Sequence, residues 1–299
     1  MKWLVGCLAA LAMFVVVQGA THAAPARAKP VVKPKAFPDP KLAKELVIAA
    51  DAEVKTYVPL NVGTHKQPEF AVYVTKAYSP DVPMPLVVSS HGNGGTGKGE
   101  IGGWVKYAEQ FGWIIVCPSY GLASNAPPKY AGVPGQYQLS NADELGQEEM
   151  MLAEVLERVM RSLNIDRELV LHTGFSGGGF PTCFLAMKHP EVFTALCYRS
   201  GNFCTVGLTP DPRPWINRPI YVFWGSKDNP VIIEKGALGL PDGPTCLMYY
   251  QQLGCQRLKH QLLDGGGHDP RIDLAATWFA DEVVKPLLEA RAKKGTKKK

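Results

Sequence analysis

The chain has 299 residues, 46% of them apolar and 20% charged, which suits one large folded domain and excludes a disordered polyelectrolyte. Its net charge of +5 is carried at the ends: residues 1–35 hold five basic residues and no acid, and residues 291–299 hold six and no acid. Removing those five and six positive charges leaves 36–290 at −6. A body of that sign lacks the basic folded face of a nucleic-acid binder, so no nucleic-acid partner is expected.

Lys2, the apolar run Leu8 to Val17 and the small residues of Thr21-His22-Ala23 predict a signal peptide over 1–23, cleaved after Ala23. The run is short of the roughly 20 residues of a membrane span, so the processed protein is expected to be secreted or periplasmic, with no stable membrane span. Pro, Lys and Ala dominate 24–40, which reads as a semi-extended linker. The folded domain is expected over 41–290, followed by a solvated basic tail over 291–299. Export permits disulfides among the six cysteines left after processing. Two local pairs are available, Cys197 with Cys204 and Cys246 with Cys255. Cys117 and Cys183 fall on an apolar strand and helix face, where a buried thiol is the ordinary reading.

In chain order, Phe70 to Thr75 and Leu86 to Ser90 read as strands, Ile101 to Gln110 as a helix, and Trp113 to Cys117 as a short buried strand. Pro118 to Ser140 is rich in Gly, Pro, Ala and Tyr without a period, and a loop this long after a strand is expected to roof a site. Ala142 to Leu163 has helical periodicity, with Asn141 as its N-cap. Leu169 to Thr173, Phe193 to Tyr198, Ile220 to Trp224 and Leu258 to Leu263 read as further strands, Phe180 to Lys188 as a helix, and Pro270 to Ala290 as a closing amphipathic helix. Strands alternating with helices predict an α/β fold with a mostly parallel central sheet and helices on both faces.

In such sheets chemistry collects beyond the carboxyl ends of the strands. Gly174-Phe175-Ser176-Gly177-Gly178, between a strand and a helix, is a Gly-x-Ser-x-Gly turn that exposes a nucleophilic serine on a strained backbone. His91-Gly92-Asn93-Gly94-Gly95 follows an earlier strand. Asn93 or Gly94 there, together with Gly177, are the candidate oxyanion donors, and His91 itself reads as structural. Serine needs a base, and the base an acid to fix its tautomer. Asp228 and His268 follow two later strands, in the chain order Ser, Asp, His of α/β-hydrolases. Asp264 and Asp269 are rival acids, but they lie too near His268 in the chain to arrive from another strand. Asp269-Pro270 reads as the start of the closing helix. Tyr120, Phe175, Arg199 and Trp224, with the Arg199–Asn202 turn, are the candidate lining of a substrate pocket. His22, His65, His172, His189 and His260 show no metal-ligand spacing, and His172 reads as a packed core residue. Neither a metal nor a cofactor is expected.

On these residues the chain resembles the secreted serine esterases of the α/β-hydrolase superfamily, closest to the poly(3-hydroxybutyrate) depolymerase-like and feruloyl or acetylxylan esterases. The resemblance runs from Pro85 to Phe279. It is carried by the loop at 91–95, Ile165-Asp166-Arg167 leading to Ser176, the Gly225–Asp228 turn, and Gly267-His268. One departure is Asn93, where many of that group have cysteine. The resemblance implies cofactor-free hydrolysis of a small or polymeric ester through an acyl-enzyme. A peptidase of prolyl-oligopeptidase type with the same triad, and a non-catalytic binding protein on the same fold, are the alternatives.

Overall fold

The computed structural model describes residues 55–57, 70–119, 156, 159–205, 211, 213–236 and 239–296. The expected signal peptide and linker, the loop 120–140 with Tyr120, and most of the expected helix 142–163 lie outside the described residues.

Among the described residues eight strands form one sheet: β1 (Lys55–Tyr57), β2 (Phe70–Val74), β3 (Met84–Ser90), β4 (Ile114–Pro118), β5 (Ile165–Phe175), β6 (Ala195–Arg199), β7 (Ile220–Gly225) and β8 (Leu258–Leu263). Their spatial order is β1-β2-β4-β3-β5-β6-β7-β8. Only β2 runs against its neighbours; from β4 across to β8 every pair is parallel. This is the α/β-hydrolase fold, and it puts the ends of β3, β5, β6, β7 and β8 side by side along one edge.

The strands are almost continuously apolar because both faces of the sheet are covered. Alternate residues part to two cores. Phe70, Val72, Val74, Ile114 and Val116 pack on one side. Ala71, Tyr73, Ile115 and Cys117 pack on the other. The first core is closed by the helical residues 159–162, by α3 (Gly179–Lys188) and by α5 (Asp242–Gln252). The second is closed by α1 (Gly97–Gly102), α2 (Val105–Phe111) and α6 (Ile272–Trp278). A short helix, α4 (Pro230–Ile233), follows β7, with Pro230 in its first turn and Asn229 capping it through a bond from the Val231 N–H at 3.1 Å.

Several elements differ from expectation. The helix read over 101–110 is two helices, parted around Gly103 and Trp104. The closing helix starts at Ile272 instead of Pro270, because Arg271 takes a left-handed backbone (φ 36) that no α-helix contains. Asp269 therefore does not cap it; its carboxylate accepts from the Arg271 N–H at 3.1 Å. The helix continues through a π-helical segment, Phe279–Val284, into α7 (Lys285–Thr296). Residues 291–296, expected as solvated tail, are helical, and Arg291 pairs with Asp166 and Glu168 at 2.5 Å each. Neither expected disulfide forms: Cys197, Cys246 and Cys255 are thiols. Cys197 packs in one core and Cys246 in the other, where each behaves as a small apolar side chain.

Candidate active site

Ser176 ends the rise of β5 and opens a single 3-10 turn, Ser176–Gly178, that runs directly into α3. Its φ is 50, a left-handed conformation that costs on the order of 1–3 kcal/mol for a non-glycine residue. The turn closes because its flanking glycines admit other backbone. A side chain at Gly174 would meet the Gly178 carbonyl at 2.1 Å, and one at Gly178 would meet the Ser90 carbonyl at 2.4 Å. Gly177, second in the turn, has no carbonyl within the turn to receive its N–H, which suits it to an outside acceptor.

The 91–95 loop lies against this turn. The Cβ direction at Gly92 points at Phe175, 3.0 Å away, and at the Ser176 Cβ, 3.4 Å away. Asn93 and Gly94 are exposed, and Gly94 has φ 73. His91 is buried and donates from Nδ1 to the Gly92 carbonyl at 2.7 Å, as a structural histidine would. Its pKa lies below the usual histidine value, because burial outweighs that bond and the charge of Glu100.

Asp228 and His268 are brought together by a backbone zipper between the turns after β7 and β8. The N–H of Lys227 donates to the Gly266 carbonyl at 2.8 Å, the N–H of Ser226 to the Leu263 carbonyl at 2.9 Å, and the N–H of Gly265 to Ser226 Oγ at 2.8 Å. His268 Nδ1 then stands 2.5 Å from Asp228 Oδ1. Burial alone would raise the Asp228 pKa, but the hydrogen bonds from His268, Ser200 and the N–H groups of Gly225 and Asn229 together outweigh it and hold the carboxyl below its ordinary value. An ionised carboxylate only accepts, so His268 donates from Nδ1 and keeps Nε2 free to act as a base. The His268 ring lies on that of Phe175, the residue before Ser176, with ring centres 4.8 Å apart. The rival acids Asp264 and Asp269 are both exposed.

Behind these residues lies a buried ion pair that sequence reasoning missed. Arg199 Nη2 donates to Glu100 Oε1 at 2.6 Å and to Ser89 Oγ at 2.9 Å. Its Nε donates to Thr173 Oγ1 at 3.0 Å and its Nη1 to the Pro270 carbonyl at 3.3 Å. One side chain thus ties together the ends of β3, β5 and β6 and the segment just after His268. Burial would raise the Glu100 pKa, but Arg199 and the donors Ser89 and Trp104 outweigh it and hold it down.

Of the expected pocket residues, only Phe175 stands at the site among those described. Arg199 is fully buried and turned onto Glu100, Ser89, Thr173 and Pro270, away from any surface the described residues leave open. Trp224 is a core residue stacked near His260, ring centres 4.4 Å apart, and buried in the first core. The Arg199–Asn202 turn is buried too: the Asn202 N–H donates to the Ser176 carbonyl at 2.7 Å, bracing the serine from beneath. Tyr120 lies outside the described residues. An open cavity of about 240 Å³ beside the Phe175–Ser176 turn is lined by His91, Gly92, Asn93, Thr96, Glu100 and Phe175 among others. His172 is a core residue as read, stacked on Phe193 at 4.6 Å, with Nε2 3.2 Å from Ser90 Oγ.

No family model matches the chain. It is 30% identical over 152 residues to feruloyl esterase B of Neurospora crassa, a match covering 44% of this chain. The chain spans about half the length of that relative. Among solved structures it is similar to the poly(3-hydroxybutyrate) depolymerase LpqC of Bordetella parapertussis, with a TM-score of 0.60 and 18% identity over 84% of this chain and 96% of the other. It is also similar to an acetyl xylan esterase of Aspergillus awamori, with a TM-score of 0.52 and 20% identity over 76% of this chain and 98% of the other. At these identities the structural likeness shows the α/β-hydrolase fold.

Proposed function

We propose that the protein is an exported serine hydrolase that cleaves carboxylic esters, small or polymeric, through an acyl-enzyme. The observation that carries this reading is the 2.5 Å contact of His268 Nδ1 with Asp228, with the His268 ring packed on Phe175, the chain neighbour of a serine in a strained left-handed turn. The names of the relatives, all linked to esters, support the choice of bond.

In this reading Ser176 Oγ attacks the ester carbonyl while its proton passes to His268 Nε2. Asp228 steadies the imidazolium, and the N–H groups of Gly177 and of Asn93 or Gly94 receive the charge that grows on the carbonyl oxygen. The C–O bond to the alcohol then breaks, and His268 returns the proton to the departing oxygen. Water, deprotonated by the same nitrogen, attacks the acyl-serine, releasing the acid and restoring Ser176. These steps call on no cofactor.

The test is an assay of the purified protein on short p-nitrophenyl esters beside a chromogenic peptide, with a fluorophosphonate probe. Ester turnover and labelling at Ser176 are expected, and Ser176→Ala should lose both apart from a residue of catalysis by the oxyanion donors. Cleavage of the peptide alone, or stoichiometric labelling at Ser119, Ser200 or Ser226, would overturn the reading.

A further inference from the structure

One hydroxyl in contact with this machinery takes no part in the steps above. Ser200 follows directly on β6, is buried, and has φ 47. That backbone conformation is one that glycine adopts freely and serine does not. Ser200 is bonded once to strand β7 and once to the turn that follows it. Its N–H donates to the Phe223 carbonyl at 2.8 Å, and its Oγ donates to Asp228 Oδ2 at 2.6 Å.

The arrangement around Asp228 gives that hydroxyl a role. Oδ1 accepts from His268 at 2.5 Å and from the Asn229 N–H at 2.7 Å. Oδ2 accepts from the Gly225 N–H at 3.0 Å and from Ser200 at 2.6 Å. Both backbone donors belong to the turn that carries Asp228 itself. Among the described residues, Ser200, just past the end of β6, is the one side chain that grips the oxygen away from His268. A carboxylate pivots about its Cβ–Cγ bond, and any pivot that carries Oδ1 off His268 must break the short bond to Ser200. Within the same turn, the Asn202 N–H donates to the Ser176 carbonyl at 2.7 Å, so this stretch touches the acid and the nucleophile together.

We propose that Ser200 is a positioning residue, its hydroxyl fixing the Asp228 carboxylate so that Oδ1 faces His268. The proposal rests on the reading of Ser176, His268 and Asp228 as a triad. It also accounts for a serine where the backbone favours glycine: the strain is retained because glycine would bring no hydroxyl.

The experiment compares wild type with Ser200→Gly, Ser200→Ala and Asp228→Asn in the full chain, at a temperature where circular dichroism finds each folded. Readouts are kcat and KM on p-nitrophenyl acetate, the melting temperature, and the low-field proton resonance of His268 Nδ1–H. Ser200→Gly separates the two roles of the residue, since it relieves the strain and removes the hydroxyl. Positioning predicts that Ser200→Gly and Ser200→Ala each lower kcat about tenfold, the size carried by one hydrogen bond to a charged group, with KM changed less than about twofold. The low-field resonance should shift or broaden in both, while Ser200→Gly melts no lower than wild type. A purely structural role predicts the reverse: Ser200→Gly keeps wild-type kcat and resonance. That result, with Asp228→Asn inactive, overturns the Ser200 proposal and leaves the triad standing. Full activity in Asp228→Asn overturns the triad reading, and this proposal with it. If Ser200→Ala does not fold, Ser200→Gly alone decides between these outcomes.

Discussion

His268 Nδ1 and Asp228 Oδ1 stand 2.5 Å apart although the two residues are 40 positions apart in the chain. Two strand ends and the zipper between their turns make that contact. Asp264 and Asp269, close to His268 in sequence, are exposed, and Asp269 is engaged with the Arg271 N–H. Asp228→Asn should therefore lower kcat by about 10³–10⁴ with little change in KM, since the base loses its tautomer and its counter-charge. Asp264→Asn and Asp269→Asn should stay near wild type. Steady-state kinetics on one ester for the three variants decides the matter; a collapse in either of the latter two with Asp228→Asn active would move the acid elsewhere.

Arg199 and Glu100 form an ion pair whose side chains are 0% and 8% exposed. Removing one member strands the other charge away from water, at a cost of about 3–5 kcal/mol. Arg199→Met and Glu100→Gln should each destabilise on that scale, and the double variant by clearly less than the two together. Urea unfolding of the four proteins measures the coupling. Additive losses would mean that the pair contributes no mutual stabilisation.

His172 gives the fold an acid sensitivity of defined sign. Burial lowers its pKa to about 3. The unfolded chain binds a proton at this residue below about pH 6.5, while the folded protein does not until near pH 3. Its contribution to stability is therefore full above pH 6.5 and is lost progressively as the pH falls toward 3. Between pH 7.5 and pH 5 wild type should lose about 2 kcal/mol more than His172→Gln, which carries no titrating ring. Equal losses in urea unfolding at the two pH values would show that the ring protonates in the folded state.

The proposed export and processing rest on Lys2, the apolar run to Val17 and Thr21-His22-Ala23. Protein recovered from its native host should begin at Ala24. N-terminal sequencing that finds Met1 on soluble cytoplasmic protein would remove export from the proposed function.

Much of the site was readable from the chain because its signals are local. A serine between glycines at a strand-to-helix junction demands one kind of turn, and the backbone carbonyls that a Cβ on Gly174 or Gly178 would meet at 2.1 and 2.4 Å are the structural form of that demand. The alternation of strand and helix, and the order Ser176, Asp228, His268, likewise need nothing beyond near neighbours and the habits of parallel sheets. Helix ends were less legible. The start at Ile272 depends on one left-handed residue, Arg271, that no apolar period announces.

The roles of Arg199, Trp224 and Ser200 were decided by tertiary structure. Arg199 stands at a strand end, where a charged residue reads as a site residue; its partner Glu100 lies 99 positions earlier, and only the placement of α1 beside the sheet puts that carboxylate within 2.6 Å. Trp224 and the cysteines read equally well as lining, bridge or core until the helix covering each face is known. Ser200 shows no motif, since its left-handed φ and its bond to Asp228 both come from the way β6 and β7 lie against each other. Periodicity and turn chemistry act over a few residues and are written in the sequence. Which distant charge meets which, and which strand-end side chain turns inward, depends on strand order and helix placement, and these exist only once the sheet has assembled.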